Sequence, residues 1–216
     1  MQFQKEMLTL YAVTDRSWLG DRTLAEVVEE VIAGGVTMVQ LREKGRTQDE
    51  ILAAAREIRA VCNRHGVPFL VNDSIELARA CGADGVHLGQ SDVPEGDVRK
   101  LAEGLILGLS ANTVESARLA ASRGADYLGV GAVFGTTTKH DARDLTPEKL
   151  REITAAVDVP VVAIGGVNAD NILRLRGCGM EGAAVVSGLF AQPDPGDAAR
   201  RLHALAEEIK KENTRP

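Results

Sequence analysis

Eight short apolar runs, separated by longer amphipathic stretches, constrain this chain more than any other feature. The runs are Leu8–Thr14, Val36–Leu41, Pro68–Val71, Gly85–Leu88, Leu105–Leu109, Tyr127–Val130, Pro160–Ile164 and Gly182–Val186. They are apolar on consecutive residues, as expected of parallel strands covered on both faces. Helix-start signals lie between them. Thr23-Leu24-Ala25-Glu26 and Thr47-Gln48-Asp49-Glu50 read as capping boxes. Thr146-Pro147 and Asp194-Pro195 put proline at a first helical position. Gly34, Gly66, Gly82, Gly104, Gly124 and Gly177 follow helical stretches, where a left-handed cap is wanted.

An internal echo narrows the architecture. Gly82-Ala83-Asp84, Gly124-Ala125-Asp126 and Gly179-Met180-Glu181 lead into the fourth, sixth and eighth runs. Gly66-Val67-Pro68 and Asp158-Val159-Pro160 lead into the third and seventh. Alternate strands therefore look alike. That suits a closed barrel filled in layers by odd and even strands, and suits an open sheet with edges less well. The 216 residues fit one α/β domain, a single (β/α)₈ TIM barrel spanning 1–216.

Composition excludes several classes of function. A net charge of −6 and 3% aromatic residues argue against a nucleic-acid surface, which needs basic excess and stacking platforms. No apolar run is long enough to span a bilayer, and Met1–Glu6 lacks the apolar stretch of a secretory signal, so a cytoplasmic location is expected. Cys62, Cys81 and Cys178 are scattered without CxxC spacing and read as small buried residues.

In such a barrel the active site lies where strands end. Gln40, Arg42 and Lys44 alternate at the end of the second run, a set suited to an anion, although a surface charge cluster is an equal reading. Asn72-Asp73 ends the third run and Gly89-Gln90-Ser91-Asp92 follows the fourth. Asp73 alone reads as a helix cap and Asp92 alone as a turn residue. Together, opposite a basic strand end, they read as Mg²⁺ ligands. Ser110 follows the fifth run, where a turn or cap is the plainer reading of it alone. The loop after the sixth run carries Thr136, Thr137, Thr138 and Lys139, which can wrap phosphate oxygens, and its length suits a lid. Gly165-Gly166 after the seventh run, and Val186-Ser187-Gly188 at the eighth, make a backbone phosphate site, with a short helix expected from Ser187. The sum is two anion sites across one barrel mouth. One suits a monophosphate, and the other, with cations and Mg²⁺, suits a diphosphate.

At this point the ordered set of motifs is recognisable. Leu10–Asp15, Val39–Lys44, Val71–Asp73, Ala83–Asp92, Asp126–Gly129, Thr136–Lys139, Ala163–Gly166 and Val185–Ser187 resemble the thiamine-phosphate synthase family in order through nearly the whole chain. The resemblance implies a Mg²⁺-dependent transferase. Its substrates would be 4-amino-5-hydroxymethyl-2-methylpyrimidine diphosphate and a thiazole phosphate, plain or carboxylated. It further implies that Gln40, Arg42, Lys44, Asn72, Ser110 and Lys139 hold the pyrimidine diphosphate. Asp73 and Asp92 match the metal ligands, and Thr136, Thr138, Gly166, Val186 and Ser187 match the thiazole-phosphate contacts. Arg42, Lys44, Ser110 and Lys139 are the expected catalytic set, acting on a diphosphate that departs before the thiazole nitrogen attacks. His87 is expected to pack inside the barrel and His140 to be a solvated loop residue. The sequence leaves the oligomeric state open. Three rivals stand beside this reading: a tautomerase-like relative, another phosphate-binding barrel such as a sugar-phosphate epimerase, and a silent phosphate binder. The first would not need the complete diphosphate and metal set. The second needs acid–base pairs at its strand ends.

Overall fold

A computed structural model describes residues 1–135 and 145–213. Eight parallel strands close into a barrel in sequence order. They are β1 (Leu10–Val13), β2 (Met38–Leu41), β3 (Phe69–Asn72), β4 (Gly85–Leu88), β5 (Ile106–Ala111), β6 (Tyr127–Gly131), β7 (Val161–Ile164) and β8 (Gly182–Val185). Each falls on one of the eight apolar runs, and β1 closes the ring on β8 through Leu10–Ala183, Tyr11–Ala184 and Ala12–Val185. The helices are α1 (Leu24–Ala33), α2 (Gln48–His65), α3 (Ile75–Cys81), α4 (Val98–Leu101), α5 (Val114–Ser122), α6 (Pro147–Thr154), α7 (Ser187–Phe190) and α8 (Pro195–Asn213). A 3₁₀ turn, Ile172–Leu175, replaces a full helix between β7 and β8.

The local chemistry behaves as the residues require. Both capping boxes form: Thr23 with Glu26, and Thr47 with Glu50. Asp194 caps α8 by accepting from the Asp197 N–H at 2.8 Å. Gly66 and Gly82 end α2 and α3 in the left-handed region. Gly34 departs from the expectation. Its φ is −79°, and the left-handed residue is Gly35. Gly34 is small for another reason: a Cβ there would lie 2.4 Å from the Gly196 carbonyl oxygen and 2.6 Å from Ala199 Cβ. The residue lets α1 and α8 close on one another.

The echo before the even strands has a hydrogen-bonding cause. Asp84 donates its N–H to the Phe69 carbonyl, and its carboxylate accepts the Phe69 N–H at 3.0 Å. Asp126 repeats this with Leu107, whose N–H it accepts at 2.7 Å. Each carboxylate therefore satisfies a strand-start donor that the ladder leaves over. Glu181 keeps only the backbone half, to the Val161 carbonyl, and its side chain pairs with Lys5.

Two apolar layers result. One lies between strands and helices; the other fills the barrel with Leu8, Tyr11, Val13, Met38, Leu70, Ile106, Tyr127, Val162 and Ala184. Phe3 stacks on Tyr127 at 5.9 Å, bringing the N-terminal segment onto this interior layer. Cys62, Cys81 and Cys178 are buried free thiols, as their scatter indicated. Among the described residues no helix is long and apolar enough to cross a membrane.

Candidate active site

A cleft of about 400 Å³ opens where the strands end. The β2, β3 and β5 side contributes Gln40, Arg42, Asn72 and Ser110. The β7 and β8 side contributes Gly165, Gly166, Val186 and Ser187. These residues, expected at two separate anion sites, thus line one cavity. Strand alternation explains the selection. Gln40, Asn72 and Ser110 share the inward face with interior residues such as Met38, Leu70 and Ile106, and so point into the mouth.

Arg42 follows the last residue of β2. Its N–H donates to Thr14 Oγ1 at 3.0 Å, while the Thr14 N–H donates to the Gln40 carbonyl. Thr14 is buried, so this pair continues the β1–β2 ladder past the strand and fixes where Arg42 leaves it. The Asp15 carboxylate lies 4.0 Å from the Arg42 guanidinium. Next along, Glu43 is nearly buried and bonds Arg16 at 2.7 Å, tying the loops after β1 and β2 together. Lys44 is exposed and not among the cleft-lining residues. The strand stops at Leu41, so alternation no longer governs it.

Gly165 and Gly166 both have positive φ, 101° and 66°. Cβ atoms there would collide with Ala132 at 2.4 Å and with the Gly135 carbonyl at 2.3 Å. The glycines let the turn after β7 lie flat against the segment leaving β6, which keeps its backbone open to the cleft. Arg174, from the 3₁₀ turn, sits 5.1 Å over the Phe134 ring at the start of that segment. The expected short helix is α7, beginning at Ser187.

Asp73 and Asp92 do not line the cleft, but each directly follows residues that do: Asn72, and Gln90-Ser91. Asp73 is the one described non-glycine residue with positive φ, at 67°. Its N–H donates to the His87 carbonyl at 2.8 Å, tying the ends of β3 and β4. The cap of α3 is made by Ser74, which accepts from the Leu77 N–H, so the capping reading of Asp73 is set aside. Asp92 closes a turn onto the Gly89 carbonyl, and its Oδ2 occupies the space beside Gly89 that a Cβ would fill.

The cavity floor holds residues that the sequence reading did not assign to the site. His87 is buried inside the barrel, as expected, but it also lines the cleft. Its Nε2 lies 3.0 Å from Ser110 Oγ and its Nδ1 lies 3.0 Å from the Tyr127 hydroxyl. Tyr127 meets the Tyr11 hydroxyl at 2.9 Å, and Gln40 Nε2 donates to Tyr11. Asn112, bonded to Gln90 at 3.2 Å, also lines the cavity. The available signal was two polar-tipped aromatics in otherwise apolar strand runs.

The family model for thiamine monophosphate synthase matches residues 10–189. This chain belongs to that family. A thiamine-phosphate synthase of Clostridium tetani is 44% identical over 201 residues, covering 93% of this chain and 96% of that one. One of Ruminiclostridium cellulolyticum is 47% identical over 195 residues, covering 90% and 93%. The structure of a thiamine phosphate pyrophosphorylase from Pyrococcus furiosus superposes with a TM-score of 0.88 at 37% identity, covering 95% of this chain and 98% of that one. Membership of the thiamine monophosphate synthase family makes the chain a transferase of thiamine biosynthesis. Thr136, Thr138, Lys139 and His140 lie outside the described residues.

Proposed function

We propose that this cleft joins 4-amino-5-hydroxymethyl-2-methylpyrimidine diphosphate to a thiazole phosphate, giving thiamine phosphate and diphosphate. The observation that carries the reading is the single cavity with a cationic and amide side, Gln40, Arg42, Asn72 and Ser110, facing a glycine-rich side at Gly166 and Ser187. The first suits the pyrimidine diphosphate and the second a monophosphate. A cytoplasmic location accords with the absence of a membrane-crossing helix among the described residues.

The reaction needs charge stabilisation and alignment more than acid–base chemistry. The bond between the pyrimidine methylene and the diphosphate oxygen breaks first, with both electrons leaving on diphosphate. The electron-rich aminopyrimidine carries the resulting cation until the thiazole nitrogen attacks the methylene. Arg42, Lys44 and Lys139 neutralise the departing diphosphate, and Gln40, Asn72 and Ser110 help to hold the pyrimidine diphosphate. Thr136, Thr138, Gly166, Val186 and Ser187 hold the thiazole phosphate.

Asp73 and Asp92, which follow the cleft-lining Asn72 and Ser91, would hold a Mg²⁺ ion, since two carboxylates completed by substrate oxygens and water are what Mg²⁺ commonly takes. Among the described residues no group of three or more His, Cys, Asp or Glu could hold a metal by itself. When bound, the ion supplies positive charge to the diphosphate oxygens.

The test is product formation from the two substrates with Mg²⁺ and with EDTA. Metal-dependent thiamine phosphate is expected. Folded protein that makes none would overturn the reading, and undiminished synthesis in EDTA would remove the metal from it.

A further inference from the structure

We propose that Tyr11, Tyr127 and His87 are positioning residues, forming a one-way hydrogen-bond relay from Gln40 that turns the Ser110 hydroxyl proton into the cleft. The polarity starts at Gln40, whose Nε2 can only donate and meets the Tyr11 oxygen. Tyr11 is buried, so its own proton needs a protein acceptor, and the Tyr127 oxygen stands 2.9 Å away. The Tyr127 proton then passes to His87 Nδ1 at 3.0 Å. A neutral imidazole that accepts at Nδ1 carries its hydrogen on Nε2, here 3.0 Å from Ser110 Oγ. Ser110 accepts that bond, and its own hydrogen is left for a ligand.

Ligand chemistry supports this direction. An anion in the cleft needs donors, and the reversed chain would aim a Ser110 lone pair at it. Burial also raises both phenols above their ordinary range, so they remain protonated links. Gly129 clears the way, since a Cβ there would lie 2.9 Å from His87 Cε1.

The role assigned to Ser110 rests on the placement of the pyrimidine diphosphate proposed above. The experiment therefore uses two readouts, NMR of the histidine ring nitrogens in the ligand-free protein and steady-state kinetics, on wild type and Tyr127→Phe. His87→Gln identifies the His87 signals. In wild type one tautomer is expected, with hydrogen on Nε2; in Tyr127→Phe both tautomers populate. That variant should raise KM for the pyrimidine diphosphate about tenfold, the scale of one misdirected hydrogen bond. KM for the thiazole phosphate should stay within about twofold. Hydrogen on Nδ1 in wild type, unchanged tautomers in the variant, or unchanged kinetics would overturn the relay. A tautomer change with the kinetic effect on thiazole phosphate alone would keep the relay and overturn the substrate placement.

Discussion

The Tyr127 ring tip occupies the place of a side chain at Gly108. A Cβ on Gly108 would lie 2.2 Å from Tyr127 Cζ and 2.3 Å from its hydroxyl oxygen, and 2.6 Å from His87 Nδ1. The layer beneath the cleft is therefore built around one missing methyl group. Gly108→Ala should destabilise the fold by about 1–3 kcal/mol, the usual range for overpacking a filled core. Denaturant unfolding measures this, and an unchanged midpoint would show that Tyr127 can move aside without cost.

Asp73 and Ser74 divide two tasks that the sequence let one residue perform. Ser74→Ala removes the α3 cap and should cost about 1 kcal/mol. Asp73→Gly relieves a positive φ and should leave stability equal or raise it by up to about 1 kcal/mol, while activity falls. Thermal unfolding alongside turnover separates the two effects. Parallel loss of stability and activity in Asp73→Gly would refute the division.

Asp92→Ala should shift the Mg²⁺ dependence of turnover to higher metal concentration, by about tenfold if one carboxylate ligand is worth about 1.4 kcal/mol. Titrating activity against Mg²⁺ reads this directly. An unaltered curve would take Asp92 off the ligand set.

Lys139→Ala should lower turnover by one or more orders of magnitude, roughly the worth of a charged group acting on the leaving diphosphate. The melting temperature should change little. Wild-type turnover in this variant would exclude Lys139 from that role.

Alkaline pH should unfold this protein early. Burial raises both phenols, and raises the Cys62 thiol to about 12 with a further push from Asp84. These groups hold their protons longer when folded. Above the unfolded values, about 9 for thiol and 10 for phenol, unfolding releases protons and rising pH favours it. Stability should be intact below about pH 9 and then fall by about 1.4 kcal/mol per unit for each fully titrating group. Tyr11 and Tyr127 are the only tyrosines, so phenolate absorbance should appear together with unfolding. Phenolate formed in still-folded protein would contradict the burial.

Much of this was written in local pattern. Consecutive apolar residues in eight runs announced buried parallel strands, because both faces of each strand are covered. Thr23 with Glu26, and Thr47 with Glu50, announced helix starts, because a cap is satisfied within four residues. Gln40, Arg42, Asn72, Ser110 and Gly166 could be placed around one mouth from the sequence because the fold sends every strand end there.

Other features exist only once the barrel closes. Gly34 reads as an ordinary cap until α8 packs against it. Asp73 reads as a cap until Ser74 takes the Leu77 N–H. Tyr11, Tyr127 and His87 are separated by tens of residues or more along the chain, and sequence spacing carries no record of hydroxyl meeting hydroxyl. What the sequence determined by itself was the set of elements and the chemistry at their ends, because both follow from near neighbours. What only the tertiary structure decided was which polar atoms share the dry interior, because an unpaired buried hydroxyl is costly and finds its partner across the barrel.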